Sequence, residues 1–402
     1  MLAQMTGAKT LLGTATPSLE SYHSAQTGKY GLVRLAQRYK GIELPEIRIV
    51  DVKDLRRRKM MKGPLSPLLM AKVREAVEVL QGHGCPDLTG GRQAILFQNR
   101  RGFAPMVECR QCGWVPRCER CDVSLTLHRR TNKMTCHYCG AAYDVPQVCP
   151  ACGSRELHTR GAGTEKIEDR VCDAFPEARV ARMDLDTTRT NGAYERIIDD
   201  FAEGRTDILI GTQMIGKGLD FDRVSVVGIL DADSMMNYPD FRAYEQAFMM
   251  MAQVSGRAGR KGGRGLVILQ TKSPDAPLLD YVVRNDYGAL YRELIAERQA
   301  FRYPPYTHLT YIYMKHRDET VVDHAANEMG SMLRRWFGDR VLGPDRPAVA
   351  RVKTLCIRKI VLKLELGIDM AKVRQYLRAA QKAMADDPRF RSVQTYFDVD
   401  PM

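Results

Sequence analysis

Residues 109–152 read CRQCGWVPRCERCDVSLTLHRRTNKMTCHYCGAAYDVPQVCPAC, a stretch in which eight cysteines form four Cys-x-x-Cys pairs. Two cysteines with this spacing place two thiolates on one tetrahedral zinc ion, and a structural zinc takes two such pairs. The stretch therefore predicts two structural zinc ions. Because so short a segment buries little apolar surface, we expect it to need its metal in order to fold.

The order of the pairs leaves two ways of sharing the zinc ions. Only five residues separate Cys112 from Cys118, a tight loop if consecutive pairs share one ion. We therefore favour a nested arrangement over a sequential one. Its base clamp would be Cys109, Cys112, Cys149 and Cys152, and its outer ribbon Cys118, Cys121, Cys136 and Cys139. Eight thiolates complete two sites, so neither His128 nor His137 is expected to bind metal.

Apolar strands alternate with helical patterns on both sides of the cysteines. Strands are predicted at residues 47–50, 93–98, 179–183, 207–211, 224–230 and 265–271, and helices at 19–26 (N-cap Ser18), 67–80, 164–175 and 194–203. This alternation predicts an α/β fold with a parallel sheet, interrupted by the cysteine segment as an insertion. Further strands are predicted at 9–14 and 30–35, and a basic linker at 54–63.

The pattern changes beyond about residue 290. Strands are predicted at 309–315, 349–352, 359–365 and 393–398, and helices at 321–336 and 372–385. This order predicts a small α+β domain at the end of the chain.

Composition narrows the class of protein. The chain has 402 residues, 44% hydrophobic and 27% charged, which fits two or three folded domains. Lys and Arg number 61 against 48 Asp and Glu, and the resulting charge of +13 favours a polyanionic partner. Neither a long apolar run nor a signal-peptide pattern is present, so we expect a cytoplasmic protein without a membrane span. Thiols stay reduced in the cytoplasm, so the clustered cysteines are expected to bind metal and not to form disulfides.

Three glycine-rich strings carry the most specific information. The string GTQMIGKG at 211–218 begins like a phosphate loop, but Gly218 stands where a Mg²⁺-binding hydroxyl is needed. With the preceding strand it resembles motif V of superfamily 2 helicases. QVSGRAGR at 253–260 resembles their motif VI, and GTATPS at 13–18 resembles their motif III.

In such helicases ATP lies between two RecA-like lobes. The resemblance implies that Arg260 is an arginine finger with Arg257 beside it, and that Gln253 binds phosphate or the attacking water. Cofactor-binding residues would be Gly13, Thr14, Thr16, Gly218 and Asp220. DNA-binding residues would be Asn99, Arg100, Arg101, Gly211 and Thr212.

Further strings narrow the resemblance. FQNRRGFAP (97–105), GAGTE (161–165), RMDLDT (182–187), RYPPY (302–306) and DVDP (398–401) resemble the PriA family of replication-restart helicases. The implied domains are the end of the first helicase lobe at 1–52, a RecA-like second lobe at 53–290 with the two-zinc insertion at 106–158, and a C-terminal α+β domain at 291–402.

The family also has a phosphate loop and an Asp-Glu magnesium motif, and neither is found in this sequence. We therefore expect the chain to start inside a larger fold. The resemblance implies the C-terminal half of an ATP-dependent 3′→5′ DNA helicase that binds stalled replication forks and initiates primosome assembly. Implied partners are forked and single-stranded DNA, single-strand DNA-binding protein and primosome proteins, with ATP and Mg²⁺ in the full-length member and a monomeric state.

Two alternatives stay open at this point. The chain alone could be a zinc-stabilised DNA-binding or scaffold protein without ATPase activity. It could also be another superfamily 2 member, such as a fork-regression helicase, although the cysteine insertion argues against this.

Overall fold

The computed structural model describes residues 2–35, 41, 43–61, 63–78, 93–99, 106–109, 111–112, 114–119, 125–128, 132–136, 141–160, 164–185, 187–188, 190, 192–216, 221–237, 240–259 and 264–401. By their internal contacts the residues form two compact units. Unit 1 comprises residues 1–102 and 164–294, and unit 2 comprises 103–163 and 295–402.

The described strands are β1 (Glu46–Asp51), β2 (Gln93–Phe97), β3 (Met106–Cys109), β4 (Thr126–His128), β5 (Lys133–Thr135), β6 (Ala142–Asp144), β7 (Leu157–Arg160), β8 (Val180–Met183), β9 (Ile208–Gly211), β10 (Val224–Ile229), β11 (Leu266–Thr271), β12 (Thr307–His316), β13 (Val341–Asp345), β14 (Arg351–Val352), β15 (Leu355–Glu365) and β16 (Gln394–Val399). The described α-helices are α1 (Leu2–Thr6), α2 (Leu19–Gln26), α3 (Val52–Arg57), α4 (Pro67–Glu78), α5 (Thr164–Ala174), α6 (Ala193–Ala202), α7 (Asp233–Met236), α8 (Ala243–Ser255), α9 (Pro277–Arg284), α10 (Tyr287–Ala300), α11 (Glu319–Phe337) and α12 (Met370–Asp386). Among these described residues, no helix is both long and apolar enough to cross a membrane.

Unit 1 is built on a six-stranded sheet in the order β1-β11-β10-β2-β9-β8, with all neighbours parallel. All residues of β2 and β9 are buried, as expected for strands covered on both faces. The predicted α/β class and parallel sheet are confirmed. The six strands lie within one residue of their predicted limits.

Helix α4 packs directly on the middle of this sheet. A Cβ atom at Gly228 of β10 would lie 2.8 Å from Leu69 Cδ1 and 2.9 Å from Leu96 Cδ2. Because glycine lacks that atom, the leucine of α4 reaches the backbone of β10. Close packing of this kind leaves little freedom in the spacing between helix and sheet.

The first residues of the chain differ from the prediction. Residues 9–14 and 30–35 form no strand, and Leu11 is 96% exposed. A strand needs a hydrogen-bonded neighbour, and neither segment pairs with a strand of the described residues. Helix α2 is confirmed, with Ser18 as its N-cap accepting a hydrogen bond from the Ser21 amide.

Two further features lie near the predicted boundary at residue 52. Strand β1 forms the edge of the parallel sheet of unit 1 through β11, although the sequence analysis placed it in the first segment. The predicted linker at 54–63 overlaps helix α3, which is capped by the Asp51 carboxylate.

In unit 2 the cysteine-rich segment contains two small sheets. Strands β3 and β7 form an antiparallel pair, and β4, β5 and β6 form a three-stranded sheet. Their shared core contains Val107, Leu125, Leu127, Met134, Cys118 and Cys136, and Val352 from the C-terminal part of the unit packs against it.

The C-terminal part of unit 2 is an antiparallel sheet in the order β13-β15-β12-β16, with β14 paired to β15. With α11 and α12 the chain order is a split β-α-β arrangement. Both helices contribute to a core with Ile312, Met314, Ile360 and Leu362 from one face of the sheet. The predicted α+β fold is therefore observed here, and β13 is an additional strand that the sequence did not indicate.

Candidate metal centre and nucleic-acid interface

Four cysteine sulfur atoms lie together at the base of the insertion. The Sγ atoms of Cys109, Cys112, Cys149 and Cys152 are all within 4.8 Å of one another. Two of the distances, Cys109 to Cys152 and Cys112 to Cys149, are 3.6 Å. In a tetrahedral site with Zn–S bonds of about 2.3 Å, the sulfur atoms stand about 3.8 Å apart. The residues therefore fit a zinc ion, in the grouping that nested pairing requires.

Two similar backbone turns present these cysteines. The Cys109 amide donates to the Trp114 carbonyl at 2.9 Å, and the Cys149 amide donates to the Ser154 carbonyl at 2.8 Å. In the second turn Gly153 has φ +73°, a left-handed conformation that favours glycine. Each turn folds a Cys-x-x-Cys pair back on itself, so both sulfur atoms of a pair point to one side.

The local electrostatics indicate why a cation suits this position. The backbone N–H groups of Cys112 and Gln111 lower the pKa of the Cys109 thiol to about 7. The backbone N–H of Ser154 acts to lower the pKa of Cys152, but its thiol neighbours and burial raise that pKa to about 12. The Cys152 and Cys112 thiols also help to lower the pKa of Cys109, so ionisation of Cys109 is favoured and that of Cys152 is opposed. A divalent cation that binds all four thiolates would offset the cost of the later ionisations.

The outer ribbon is described only in part. Cys118 and Cys136 are buried in the core of the insertion, and Cys118 Sγ lies 3.5 Å from the Tyr143 hydroxyl. Cys121 and Cys139 lie outside the described residues. The Cys136 amide donates to the Ala141 carbonyl at 2.8 Å, which closes the same six-residue turn as in both pairs of the clamp.

Three predicted DNA-binding residues meet at the carboxyl edge of the parallel sheet. The Gln98 amide donates to the Gly211 carbonyl at 2.9 Å, which places Asn99 beside the end of β9. Gln213 Nε2 donates to Asn99 Oδ1 at 3.1 Å, and both Asn99 and Thr212 are buried. Open parallel sheets bind ligands at this edge. Arg100 and Arg101 lie outside the described residues.

The predicted catalytic residues Gln253 and Arg257 lie on α8 and in the turn after it, at the opposite edge of the sheet. Gln253 is half-buried on α8, and Arg257 is buried in the turn that follows it. The Gly259 amide donates to the carbonyl of Val224, the first residue of β10. This contact puts the turn after α8 at the amino edge, opposite to Asn99 and Thr212. Arg260 lies outside the described residues.

The predicted cofactor-binding residues differ in their exposure to solvent. Gly13 and Thr14 are exposed, whereas Thr16 is buried and its amide donates to Thr14 Oγ1 at 3.1 Å. Gly218 and Asp220 lie outside the described residues. Thr16 leads into α2, which packs on α8, so the string at 13–18 and Gln253 belong to neighbouring elements.

Glu245 of α8, which is not among the residues predicted from the sequence, makes that contact. Its buried carboxylate accepts a hydrogen bond from the Leu19 amide at 2.8 Å, at the first residue of α2. A carboxylate is favourable at a helix N-terminus because the amides there have no helical partners. An ion pair between Arg242 and Glu20 lies on the same two elements. No local sequence signal marks Glu245, since its partner lies far away in the chain.

Three parts of the chain match known domain families. Residues 118–142 match the PriA DNA helicase Cys-rich region (CRR) domain. Residues 162–262 match the Helicase conserved C-terminal domain, and residues 299–402 match the Primosomal protein N C-terminal domain.

Similar proteins include replication restart protein PriA from Bacillus subtilis (strain 168), 38% identical over 92% of this chain and 45% of that protein. PriA from Chlamydia pneumoniae is 40% identical over 77% of this chain and 40% of that protein. PriA from Haemophilus influenzae is 36% identical over 86% of this chain and 45% of that protein. The chain thus spans less than half the length of these relatives.

Among solved structures, RecG bound to a three-way DNA junction is similar at 15% identity and a TM-score of 0.38, covering 72% of this chain and 27% of that chain. A likeness at this level adds nothing to the assignment. The domain matches and the relatives agree: this chain is similar to the C-terminal portion of replication restart protein PriA and carries domains of that portion.

Proposed function

We propose that the chain supplies the second helicase lobe and the zinc-bearing, DNA-contacting parts of a 3′→5′ replication restart helicase that binds forked and single-stranded DNA. The observation that carries this proposal is the meeting of Asn99, Gly211 and Thr212 at the carboxyl edge of the parallel sheet. Since Asn99 and Thr212 are buried, we assign DNA contact there to backbone amides and to Gln213. Arg100 and Arg101, which follow Asn99 in the sequence, stay predicted contacts.

Basic side chains support DNA binding along the same edge. Helix α3 follows the carboxyl end of β1 and exposes Lys53 and Arg56, and Lys272 follows the carboxyl end of β11. Each cation placed on a phosphate releases counterions and so favours binding. The DNA backbone would then pass along the carboxyl ends of several neighbouring strands.

The residues after α8 would act on ATP held by another lobe. A guanidinium group near the γ-phosphate stabilises the charge that develops during hydrolysis, which is the role we assign to Arg260 with Arg257. Because the sequence contains no phosphate loop, we expect little hydrolysis by this chain alone. Assembly of the primosome, contact with single-strand DNA-binding protein, a monomeric state and a cytoplasmic location are further parts of this proposal.

The zinc ions would be structural. The clamp of Cys109, Cys112, Cys149 and Cys152 would hold one ion, and we propose a second ion on the ribbon of Cys118, Cys121, Cys136 and Cys139. Support for the second comes from the turn at Cys136, which repeats the turns of the clamp.

The zinc stoichiometry tests this assignment. We expect about two zinc ions per chain. Cys149→Ser and Cys136→Ser should each remove about one of them, because each variant breaks a different site. Cys172→Ser is the matched control, since Cys172 is exposed on α5 and belongs to neither site. Zinc measured by mass spectrometry on the purified variants gives the answer. One zinc per chain, or loss of all zinc from either variant, would contradict two separate sites.

Fork binding tests the DNA edge. The double variant Lys53→Ala with Arg56→Ala should weaken binding of a forked oligonucleotide about tenfold or more at moderate salt and flatten the dependence of log affinity on log salt. Fluorescence anisotropy across a salt series measures both effects. Lys372→Ala with Lys382→Ala on α12 removes the same charge elsewhere and should change little. An equal loss in both double variants would mean that only overall charge matters.

ATP hydrolysis tests the arginine assignment. The chain alone should hydrolyse ATP at background rate with forked DNA present. A chimera carrying the preceding portion of the Bacillus subtilis relative should turn over, and Arg260→Ala in it should lower turnover by about a thousandfold. Arg264→Ala is the control, because Arg264 bonds the Leu44 carbonyl at the start of β11. Turnover by the chain alone, or an active Arg260→Ala chimera, would refute the assignment.

A further inference from the structure

The Asp184 side chain is fully buried at the carboxyl end of β8, the last strand in the order of the parallel sheet of unit 1. A carboxylate removed from water needs hydrogen-bond donors or a cation. Asp184 has both, since its Oδ2 accepts a hydrogen bond from the Thr164 hydroxyl at 2.5 Å and lies 3.2 Å from Arg182 Nη1. Thr164 is the first residue of α5, so the carboxylate ties that helix to the end of β8.

The same residue winds the loop that follows β8. Asp184 Oδ1 accepts a hydrogen bond from the Thr187 amide at 3.1 Å, and the Asp184 amide donates to Thr187 Oγ1 at 3.0 Å. Thr188 closes the loop, because its amide and its hydroxyl donate to the Asp184 carbonyl at 3.1 and 2.7 Å, respectively. The side chain and the backbone of Asp184 thus hold two successive threonines in place.

This loop contacts the segment that carries Gln213, the side chain assigned to DNA. Thr188 Oγ1 lies 3.7 Å from Met214 Sδ, in the 3₁₀-helix that begins at Gln213. The backbone before Gln213 is held as well, since the Thr212 amide donates to the Met183 carbonyl of β8 at 3.3 Å. The position of Gln213 therefore depends on the end of β8 and on the loop that follows it.

Close packing links this 3₁₀-helix to β8. A Cβ atom at Gly211 would lie 2.1 Å from Ile215 Cδ1 and 3.0 Å from the Met183 carbonyl oxygen, so a residue without that atom is needed there. Gln213 Nε2 in turn donates to Asn99 Oδ1 at 3.1 Å. Since closely packed groups transmit strain, a displacement at the end of β8 would reach the residues assigned to DNA.

Asp184 does not itself have the properties of a DNA contact. It has no exposed surface, and its negative charge would repel a phosphate. Its charge is matched within unit 1 by Arg182, whose guanidinium also lies 3.4 Å from Glu165 and 3.1 Å from Glu168. An effect of Asp184 on DNA binding would therefore pass through the loop and the 3₁₀-helix.

We propose that Asp184 is a positioning residue for the DNA-binding edge. It winds the loop after β8 so that Thr188 holds the segment beginning at Gln213 in the position that binds DNA. The inference rests on the proposed function and deepens it, because it extends the functional edge from the ends of β1, β11, β2 and β9 to the end of β8. Phosphates are bound by the groups already assigned, and Asp184 sets where those groups stand.

Fork binding by the full chain tests the proposal. Asp184→Asn keeps the size of the side chain but removes its charge, which weakens the hydrogen bonds from Thr164 and Thr187. The dissociation constant of the forked oligonucleotide should rise about threefold to tenfold. The slope of log affinity against log salt should stay unchanged, because no phosphate contact is lost. Fluorescence anisotropy across a salt series measures both quantities.

Asp207→Asn is the matched control. Asp207 is also buried, lies directly before β9, and pairs with Arg179 at 2.6 Å. The substitution makes the same chemical change beside the same two strands but at the opposite edge, so the dissociation constant should stay within about twofold. A second variant, Thr188→Val, removes the loop hydroxyl without touching a buried charge and should weaken fork binding about threefold.

Titration at protein concentrations far above the dissociation constant gives the active fraction, so a loss of folded protein is not mistaken for weaker binding. If Asp184→Asn yields no folded protein, Thr188→Val alone decides. Unchanged affinity in either folded variant, an equal loss in Asp207→Asn, or a flatter salt dependence in Asp184→Asn would overturn the proposal.

The outcome also separates this inference from the proposed function. Weaker binding by Lys53→Ala with Arg56→Ala, but not by Asp184→Asn, would leave the proposed function standing and reject the positioning role. No loss in any of these variants would reject the carboxyl edge as the DNA path, and the positioning role with it.

Discussion

The antiparallel pairing of β3 with β7 joins the two ends of the cysteine-rich segment, and the candidate metal centre depends on it. Cys109 is paired in register with Leu157, which brings Cys109 and Cys152 together although 43 positions separate them in the chain. Closing so long a loop costs conformational entropy. With so small a core of its own, the segment has little apolar burial to offset that cost, and zinc binding to the four sulfur atoms supplies the rest. The metal and the strand pair thus stabilise the same closure.

The sequence predicted best those elements in which apolar residue types mark the buried positions. Strands β2 and β9 are short apolar runs between turns, as covered parallel strands must be, and their limits were correct to one residue. The strand predicted at 309–315 lies within β12 (Thr307–His316). The cysteine pairs also predicted the clamp grouping, because a tight loop between Cys112 and Cys118 disfavoured the sequential alternative.

Features that depend on distant partners were not predictable. Residues 9–14 have the composition of a strand, but composition does not provide the neighbouring strand that a sheet requires. In the sequence Glu245 is indistinguishable from a solvent-exposed carboxylate on a helix, and its role follows only from the contact with the Leu19 amide of α2. The stacking of Tyr313 on Tyr396 follows from the register of β12 against β16, and the bond from Gln213 to Asn99 links positions 114 apart. Each of these contacts is set by topology, which a local pattern does not contain. Arg260 and several other assigned residues lie outside the described part of the chain, so their roles remain sequence-based predictions.

All-thiolate zinc binding is the central claim, and X-ray absorption at the zinc edge of the purified full chain tests it most directly. The account predicts that every zinc ion is surrounded by four sulfur atoms at about 2.3 Å. A nitrogen contribution at about 2.0–2.1 Å would show that His128 or His137 is a ligand. That result would contradict the assignment of eight cysteines to two zinc ions.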